Sequence, residues 1–371
     1  LAILAFMKIR ELMNHLEEIA PLSYQESYDN AGLIVGDPDK GIKSALISLD
    51  CTEAVVEEAV TNGIDIIISH HPIVFKGLKK FNGKNYVERV VIKAIKNDIA
   101  LYAIHTNLDH ISTGVSKKIC DKLNLINTKV LDPKGGLLKK MVVFVPFTHK
   151  EAVKDALFAA GAGNIGNYSE CSFELDGRGG FKANEDADPF VGDKNQRHTE
   201  DEVRLEVIYQ GNKERKLIAT LLKVHPYEEV AYDIYSLSNN YSEVGAGMIG
   251  ELENPMQENE FLQLLKKNMK ADVIRHTELL GKPIKKVAVC GGAGSFLLNQ
   301  AIAAGADIFI SADFKYHEFF DAEGKIIIAD IGHFESEQFT QELLLEIIQK
   351  KFPNFALRLT VQNTNPIKYL S

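Results

Sequence analysis

The chain has 371 residues, 45% hydrophobic and 25% charged, with 42 lysines and arginines against 51 aspartates and glutamates, a formal charge of −9. That length exceeds one ordinary core and makes two domains the default, and the composition is that of a soluble globular protein, which excludes fibrous and disordered classes. Net acidity argues against a dedicated nucleic-acid binder, while leaving room for a local basic pocket.

The opening LAILAF is apolar but short and has no basic stretch before it, so it reads as neither signal peptide nor membrane span, and as a tag or an upstream start before Met7. No membrane partner is indicated. In MKIRELMNHLEEIAP, residues Ile9, Leu12, Met13, Leu16 and Ile19 recur at helical spacing, the pattern of a helix packed on a core. IKSALISLD then reads as a strand, TEAVVEEAVTNG as a helix stopped by Gly63, and IDIIIS as a second strand, a β-α-β unit of the parallel kind. A helix over residues 85–97 and a strand opening IALYAIHTNLDH continue the pattern. Cys51, Cys120, Cys171 and Cys290 lie far apart with no CxxC spacing, which fits a reducing cytoplasm and indicates neither a zinc ribbon nor a disulfide framework.

From Lys140 onward the order becomes β-α-β-β-α-β, the ferredoxin-like arrangement, carried by MVVFVPF, KEAVKDALFAAG, NYSECSFEL, EVRLEVIY, KERKLIATLLKV and EEVAYDIYSL. Its central connection, Asp176 to Asp201, is rich in glycine and charge and too long for an inert turn, so a lid or a contact loop is expected there. After it the chain repeats itself. Residues 284–313 align without a gap on residues 42–71 at a constant offset, 284 − 42 = 242, with identities at Lys43/Lys285, Gly63/Gly305, Asp65/Asp307 and Ser69/Ser311. The expected fold class is therefore α/β: two related halves, residues 1–136 and 242–371, form one discontinuous core, interrupted by a ferredoxin-like α+β domain over residues 137–241. In this register His71 corresponds to Asp313, and the two strand ends face a common crevice.

The chemistry gathers at the carboxyl ends of the strands, where an α/β layer places its functional groups. The stretch IISHHPIVF puts His70 and His71 at the end of a hydrophobic run closed by Pro72. HTNLDH adds His105, Asp109 and His110, and HFESEQF sets His333 and Glu337 four apart, on one face if a helix begins there. Imidazoles and carboxylates without thiolates suit zinc, iron or manganese. Five ligands from among these exceed one tetrahedral shell, so two divalent ions sharing Glu337 as a bridge form the economical arrangement. GGAGS, residues 291–295, could receive a phosphate on backbone amides, although tight helix–strand packing suits it better.

SYDNAGLIVGD, IISHHPIVF, HTNLDH and DIGHFESEQF, taken in order, resemble the signature stretches of the Nif-three-like dinuclear metal proteins, the family also called GTP cyclohydrolase I type 2 homologs. The likeness runs from Met7 to the end of the chain. It implies metal ligands at His70, His71, Asp109, His333 and Glu337, an inserted domain similar to PII and CutA proteins, and assembly as a ring-like homohexamer. The family usually has a tryptophan where this chain has Tyr28, a change conservative in shape that touches no ligand.

Two divalent ions, zinc first among the candidates, make hydrolysis the expected reaction class. As a GTP cyclohydrolase, the chain would direct activated water at C8 of the purine, opening the ring with loss of formate. His105 or His110 would then shuttle protons, with a role in holding Asp109 as the competing reading for His105. Asp313 and His317 are candidates for the site wall, and surface exposure is the competing reading for His317. A non-enzymatic regulatory or scaffold protein and a metal-dependent phosphoesterase remain as alternative functions, because one fold and one metal site support many reactions.

Overall fold

Leu12 and Leu16 lie buried on one side of the helix Ile9–Ile19, as their spacing requires. The helix Glu53–Thr61 starts where Thr52 Oγ1 accepts the Val55 N–H at 3.3 Å, and stops before Gly63, whose φ of +62° suits a residue without a Cβ. Asn85 caps the helix Tyr86–Lys96 in the same way, accepting from Glu88 N at 2.9 Å. These facts come from a computed structural model that describes residues 7–370. LAILAF, expected as a tag or upstream start, lies outside the described residues.

Strands assemble into two α/β sheets, which corrects the expectation of a single layer. One runs in spatial order Ala356–Leu359, Ser44–Ser48, Ile66–Ser69, Ala100–Ala103 and Gly32–Val35. The other runs Arg275–His276, Ile327–Asp330, Ile308–Ala312, Ile284–Ala293, Asn240–Met256 and Ile126–Gly135. The central pairs of each are parallel, and the outer strands Gly32–Val35 and Arg275–His276 run antiparallel to their neighbours. Each half of the sequence also lends a strand to the other half's sheet. Ala356–Leu359 joins the first beside Ser44–Ser48, and Ile126–Gly135 joins the second beside Asn240–Met256. Hydrophobic periodicity gives no warning of this, because it reports which face is buried and not which strand lies alongside.

Parallel strands covered on both faces need apolar residues at successive positions. In the second sheet Val287, Val289, Ile308 and Ile310 belong to one buried cluster, while Ala288, Phe309 and Ile328 belong to another. In the first, Leu46, Ile67 and Leu101 pack with Val55, Val90 and Ala94 of the helices. Cutting the fully buried Ile67 to alanine would cost about 2–5 kcal/mol.

The described residues divide into two compact units, one drawn from 7–132 and 243–370, the other Pro133–Ser242. In the second unit the antiparallel order is Tyr232–Ser236, Leu138–Pro146, Arg197–Gln210 and Ser172–Lys182, with the helices Lys150–Ala160 and Glu214–Val224 on one face. The connection expected over Asp176 to Asp201 is shorter than that. Strand pairing continues in register from Ser172↔Val207 to Lys182↔Arg197, which leaves only 183–196 as connection. The stretch lacks alternation, yet the ladder is made by backbone groups and needs none. No helix among the described residues is long and apolar enough to cross a membrane.

Candidate metal centre

His70 and His71 follow the last residue of the strand Ile66–Ser69, and their rings converge with centroids 5.0 Å apart. His70 is fully buried. Its Nδ1 donates to the Ile104 carbonyl at 2.8 Å; a carbonyl can only accept, so the proton of the neutral ring sits on Nδ1 and Nε2 carries a lone pair. That Nε2 has no hydrogen-bond partner, and Asp109 Oδ1, 3.4 Å away, has none either. Burial holds the His70 imidazole down at about 4, so with Asp109 ionised two buried lone pairs would face one another. Such an arrangement is costly unless a cation lies between them.

Glu337 is the meeting point. It is 3% exposed and lies on the short helix His333–Glu337, where the spacing of four brings it onto the face of His333. Its Oε2 lies 2.9 Å from His71 Nε2 and 3.1 Å from His333 Nε2, while its Oε1 faces His70 Nε2 at 3.9 Å. Each of the two histidines meeting Oε2 is oriented from behind by a carboxylate: His71 Nδ1 by Asp50 at 2.7 Å, and His333 Nδ1 by Asp313 at 2.7 Å. Thr364 Oγ1 in turn donates to Asp50 Oδ2 at 2.6 Å.

These contacts set the local charge. Burial disfavours the protonated His71, but Asp50 and Glu337 outweigh it and push the ring up to about 10. Burial likewise opposes a charged His333, which Glu337 and Asp313 push up to about 11. Burial and the nearby Glu337 drive Asp109 well above the usual carboxylate range. Glu337 itself is held well below that range by His333, His70 and His71, against the effect of its own burial.

The ligand-bearing atoms fall into groups within 4.8 Å of one another: His71, His333 and Glu337; His70, Asp109 and Glu337; and His70, His71 and His105. The glycine run belongs to this packing. A Cβ on Gly292 would collide with Glu337 Oε1, and one on Gly291 would stand 3.4 Å from Glu337 Cγ. Both glycines lie just before the end of the strand Ile284–Ala293, and Gly292 N donates to Ser336 Oγ at 2.9 Å.

Other sequence candidates fall at different distances from the centre. His105 turns Nδ1 to Asp29 at 2.8 Å, so Asp29, and not Asp109, is the carboxylate it is tied to. Its ring lies 5.3 Å from those of His70 and His71. His110 Nδ1 donates to the Tyr24 carbonyl at 2.8 Å, with Nε2 3.3 Å from Glu26. Asp313 stands behind His333. His317 lies exposed beside Tyr316 and Phe320 and does not line the cavity. Sequence reasoning passed over Asp50 and Asp29. Asp50 closes IKSALISLD, one strand over from His71, so its place at a strand end was the available signal.

The centre opens into a cavity of about 900 Å³ with Tyr28, Phe75, Tyr86 and Phe296 in its walls, together with His105 and His110. No lysine or arginine lines it among the described residues, while Glu26, Asp50, Asp109 and Glu337 do.

Comparison with known proteins gives a consistent set of relatives. The model of the family Duf34/NIF3 (NGG1p interacting factor 3) matches residues 7–366. A protein of Bacillus subtilis (strain 168) named GTP cyclohydrolase 1 type 2 homolog is 36% identical, over 97% of this chain and 98% of its own length. A protein of the same name from Staphylococcus epidermidis (strain ATCC 12228 / FDA PCI 1200) is 37% identical, over 98% of this chain and all of its own. The crystal structure of a Bacillus cereus protein related to NIF3 superposes with a TM-score of 0.85 at 37% identity, covering 98% of this chain and 100% of that one.

Proposed function

The chain belongs to the Duf34/NIF3 family, and from that premise we propose that it binds two divalent metal ions and uses them to hydrolyse a substrate carrying a nucleobase-like ring. The observation that carries this reading is the division of labour at Glu337, whose Oε2 faces His71 and His333 while Oε1 faces His70 and, beyond it, Asp109. His70, Asp109 and Glu337 would hold one ion, and His71, His333 and Glu337 the other. The fit rests on the chemistry of these donors: His70 Nε2 and Asp109 Oδ1 are buried without a hydrogen-bond partner, and a metal ion would take the place of the proton that burial drives onto Asp109. An all-nitrogen-and-oxygen donor set suits zinc, iron or manganese.

When bound, a pair of such ions supplies Lewis acidity and lowers the pKa of water. The chain's own residues do the rest. Asp50 and Asp313 keep His71 and His333 in place. His105 lines the cavity with Nδ1 engaged by Asp29, so Nε2 is the atom that would pass a proton. Two bound cations would offset the carboxylates around them, and the walls Tyr28, Phe75, Tyr86 and Phe296 offer aromatic faces on which a heterocycle can stack, so a nucleotide would enter base first. Such stacking supports ring hydrolysis over phosphate-ester cleavage, in keeping with relatives named GTP cyclohydrolase 1 type 2 homolog. By the likeness of sequence motifs, we also read Pro133–Ser242 as a PII- or CutA-like insert in a cytoplasmic homohexamer.

A structural role competes, because the two trios draw on both sheets: His70 and Asp109 follow strands of the first, and His333 and Glu337 follow Ile327–Asp330 of the second. Metal bound there would brace the sheets together. One experiment separates the two roles. Wild type and Glu337→Gln are compared for metal content, melting temperature and turnover of a panel of nucleosides and nucleotides. A hydrolase loses one ion and nearly all turnover in the variant and keeps its fold. A brace shows no turnover in wild type and a sharply lower melting temperature in the variant, and that result would overturn the hydrolase reading.

A further inference from the structure

The Pro133–Ser242 unit contains a cavity of its own, of about 590 Å³. Along its strands Met141, Val143, Val145, Leu205 and Val207 turn toward the two helices. Alternation therefore sends Phe144, Glu202 and Arg204 to the opposite face. There, register sets Phe144 against Arg204 and Glu202 against Gly177. The connection over 183–196 contributes Pro189 and Phe190 to the walls, and the segment after the helix Glu214–Val224 contributes Tyr227. The Phe181 and Phe190 rings lie 6.4 and 6.2 Å from that of Tyr227, tilted by 59° and 48°. Such rings are angled around a space and are not stacked on one another.

Glu202 lines this space and is only 7% exposed. Its Oε1 accepts from the Tyr227 hydroxyl at 2.8 Å. No lysine or arginine among the described residues pairs with it. The two arginines in the walls are engaged elsewhere, Arg178 with Asp201 at 3.1 Å and Arg204 with Glu206 at 2.9 Å. The strand makes room for this carboxylate: a Cβ on Gly179 would collide with Glu202 Oε2 and displace the carboxylate from its present position. A buried carboxylate without a cation is costly, and a protein retains one where a ligand supplies the missing charge.

We propose that this cavity binds a methylated organic ammonium ion, its charge met by Glu202 and its methyl groups by the faces of Phe181, Phe190 and Tyr227. Aromatic faces attract cations of this kind, and weakly hydrated methylated ammonium most readily. The volume suits a small organic molecule and far exceeds a bare metal ion, and among the described residues the lining carboxylates Asp176, Glu202, Glu228 and Glu229 form no cluster of three close enough to hold one. The glycine-rich strand Ser172–Lys182 and the connection after it thereby acquire a role independent of the metal centre.

Calorimetric titration of the full-length, metal-loaded protein with choline and with 3,3-dimethylbutanol, its uncharged isostere, tests the assignment. Choline is expected to bind about one per chain and at least about tenfold more tightly than the isostere. Glu202→Gln should remove about that factor, and Phe190→Leu, on the exposed connection, should weaken choline about threefold. Both variants should keep the metal content of wild type. Equal affinity for the two probes would overturn the proposal, as would an absence of binding by choline, tetramethylammonium and trimethyl-lysine alike. If Glu202→Gln does not fold, Phe190→Leu decides: unchanged choline affinity in that variant would also overturn it.

Discussion

Asp65 and Asp307 stand 242 residues apart, 307 − 65, and do the same work in two different sheets. Asp65 Oδ2 accepts the backbone N–H of Lys43 at 2.7 Å and of Ser44 at 3.1 Å; Asp307 Oδ2 accepts those of Lys285 and Lys286, both at 2.9 Å. Each carboxylate closes the open start of the neighbouring parallel strand. The internal repeat is thus more than a shared hydrophobic rhythm, since its identities at Asp65/Asp307 and Lys43/Lys285 fall on one recurring side-chain contact.

Removing either carboxylate leaves two backbone donors without their partner. Asp65→Ala and Asp307→Ala should each lower the unfolding free energy by about 1–3 kcal/mol. Because the two sites lie in separate sheets and share no partner, the double variant should lose the sum to within about 0.5 kcal/mol. Urea unfolding of the three proteins measures this, and a loss in one variant alone would show that the repeat is not equivalent in energy.

The metal-free protein should weaken as the pH rises. An unfolded histidine loses its proton near about 6.5, whereas His71 keeps its own to about 10 and His333 to about 11. Their stabilisation is fully present below the unfolded value and is lost as pH climbs through the folded one. Asp109, raised by burial and by Glu337, acts in the same direction. Bound metal takes the place of these protons, so the metal-loaded protein should be spared much of the loss. Melting curves from pH 7 to 10, with and without a chelator, give the comparison. A chelated protein as stable at the upper limit as at the lower would contradict the assignment of these protons.

Gly292→Ala tests the packing around Glu337 without touching a ligand. The new Cβ would collide with Glu337 Oε1, and the residue's φ of +62° disfavours any side chain. Displacing one carboxylate oxygen should deplete metal while costing about 1–3 kcal/mol of stability. Elemental analysis of the folded variant checks it, and full metal occupancy would show that Glu337 can shift without consequence.

The unit Pro133–Ser242 should be dispensable for metal binding. Its flanking strands Ile126–Gly135 and Asn240–Met256 are neighbours in the six-stranded sheet, so a short turn can rejoin them. The entropy of closing a loop varies only slowly with its length, so the exchange should change stability little. A folded variant carrying a flexible linker in place of these residues should retain metal. Loss of metal from it would mean that the unit completes the centre.

Much of this was legible because the features concerned are local. Ile66, Ile67 and Ile68 announce a buried strand, Thr52 and Asn85 announce helix starts, and a strand ending in His70 and His71 draws attention to itself. Equally local is the i to i+4 relation of His333 and Glu337. What escaped notice depends on who lies beside whom. That Ala356–Leu359 pairs with Ser44–Ser48 is a choice of partner, and no residue in ALRL records it. Asp50 becomes important only once the adjacent strand delivers His71. The polar stretch after Leu175 looked like loop because its glycines interrupt any alternation, while the backbone ladder beneath was free to continue.

Ser44–Ser48 must wait for Ala356–Leu359 before its outer edge is covered, a gap of 356 − 44 = 312 residues. At the usual pace of about 5–20 residues per second, a ribosome needs roughly 15–60 s to bridge it. Throughout that interval the nascent first sheet presents the apolar edge of Ala45, Leu46 and Ile47 to any passing chain. The neighbouring Gly32–Val35, Ile66–Ser69 and Ala100–Ala103 have by then already emerged, so the lower-order part of the sheet can form on one side only. Newly made chains should therefore depend on holding chaperones far more than the finished protein does, and a stop codon placed just before Ala356 should yield aggregate where a deletion of Pro133–Ser242 yields soluble protein.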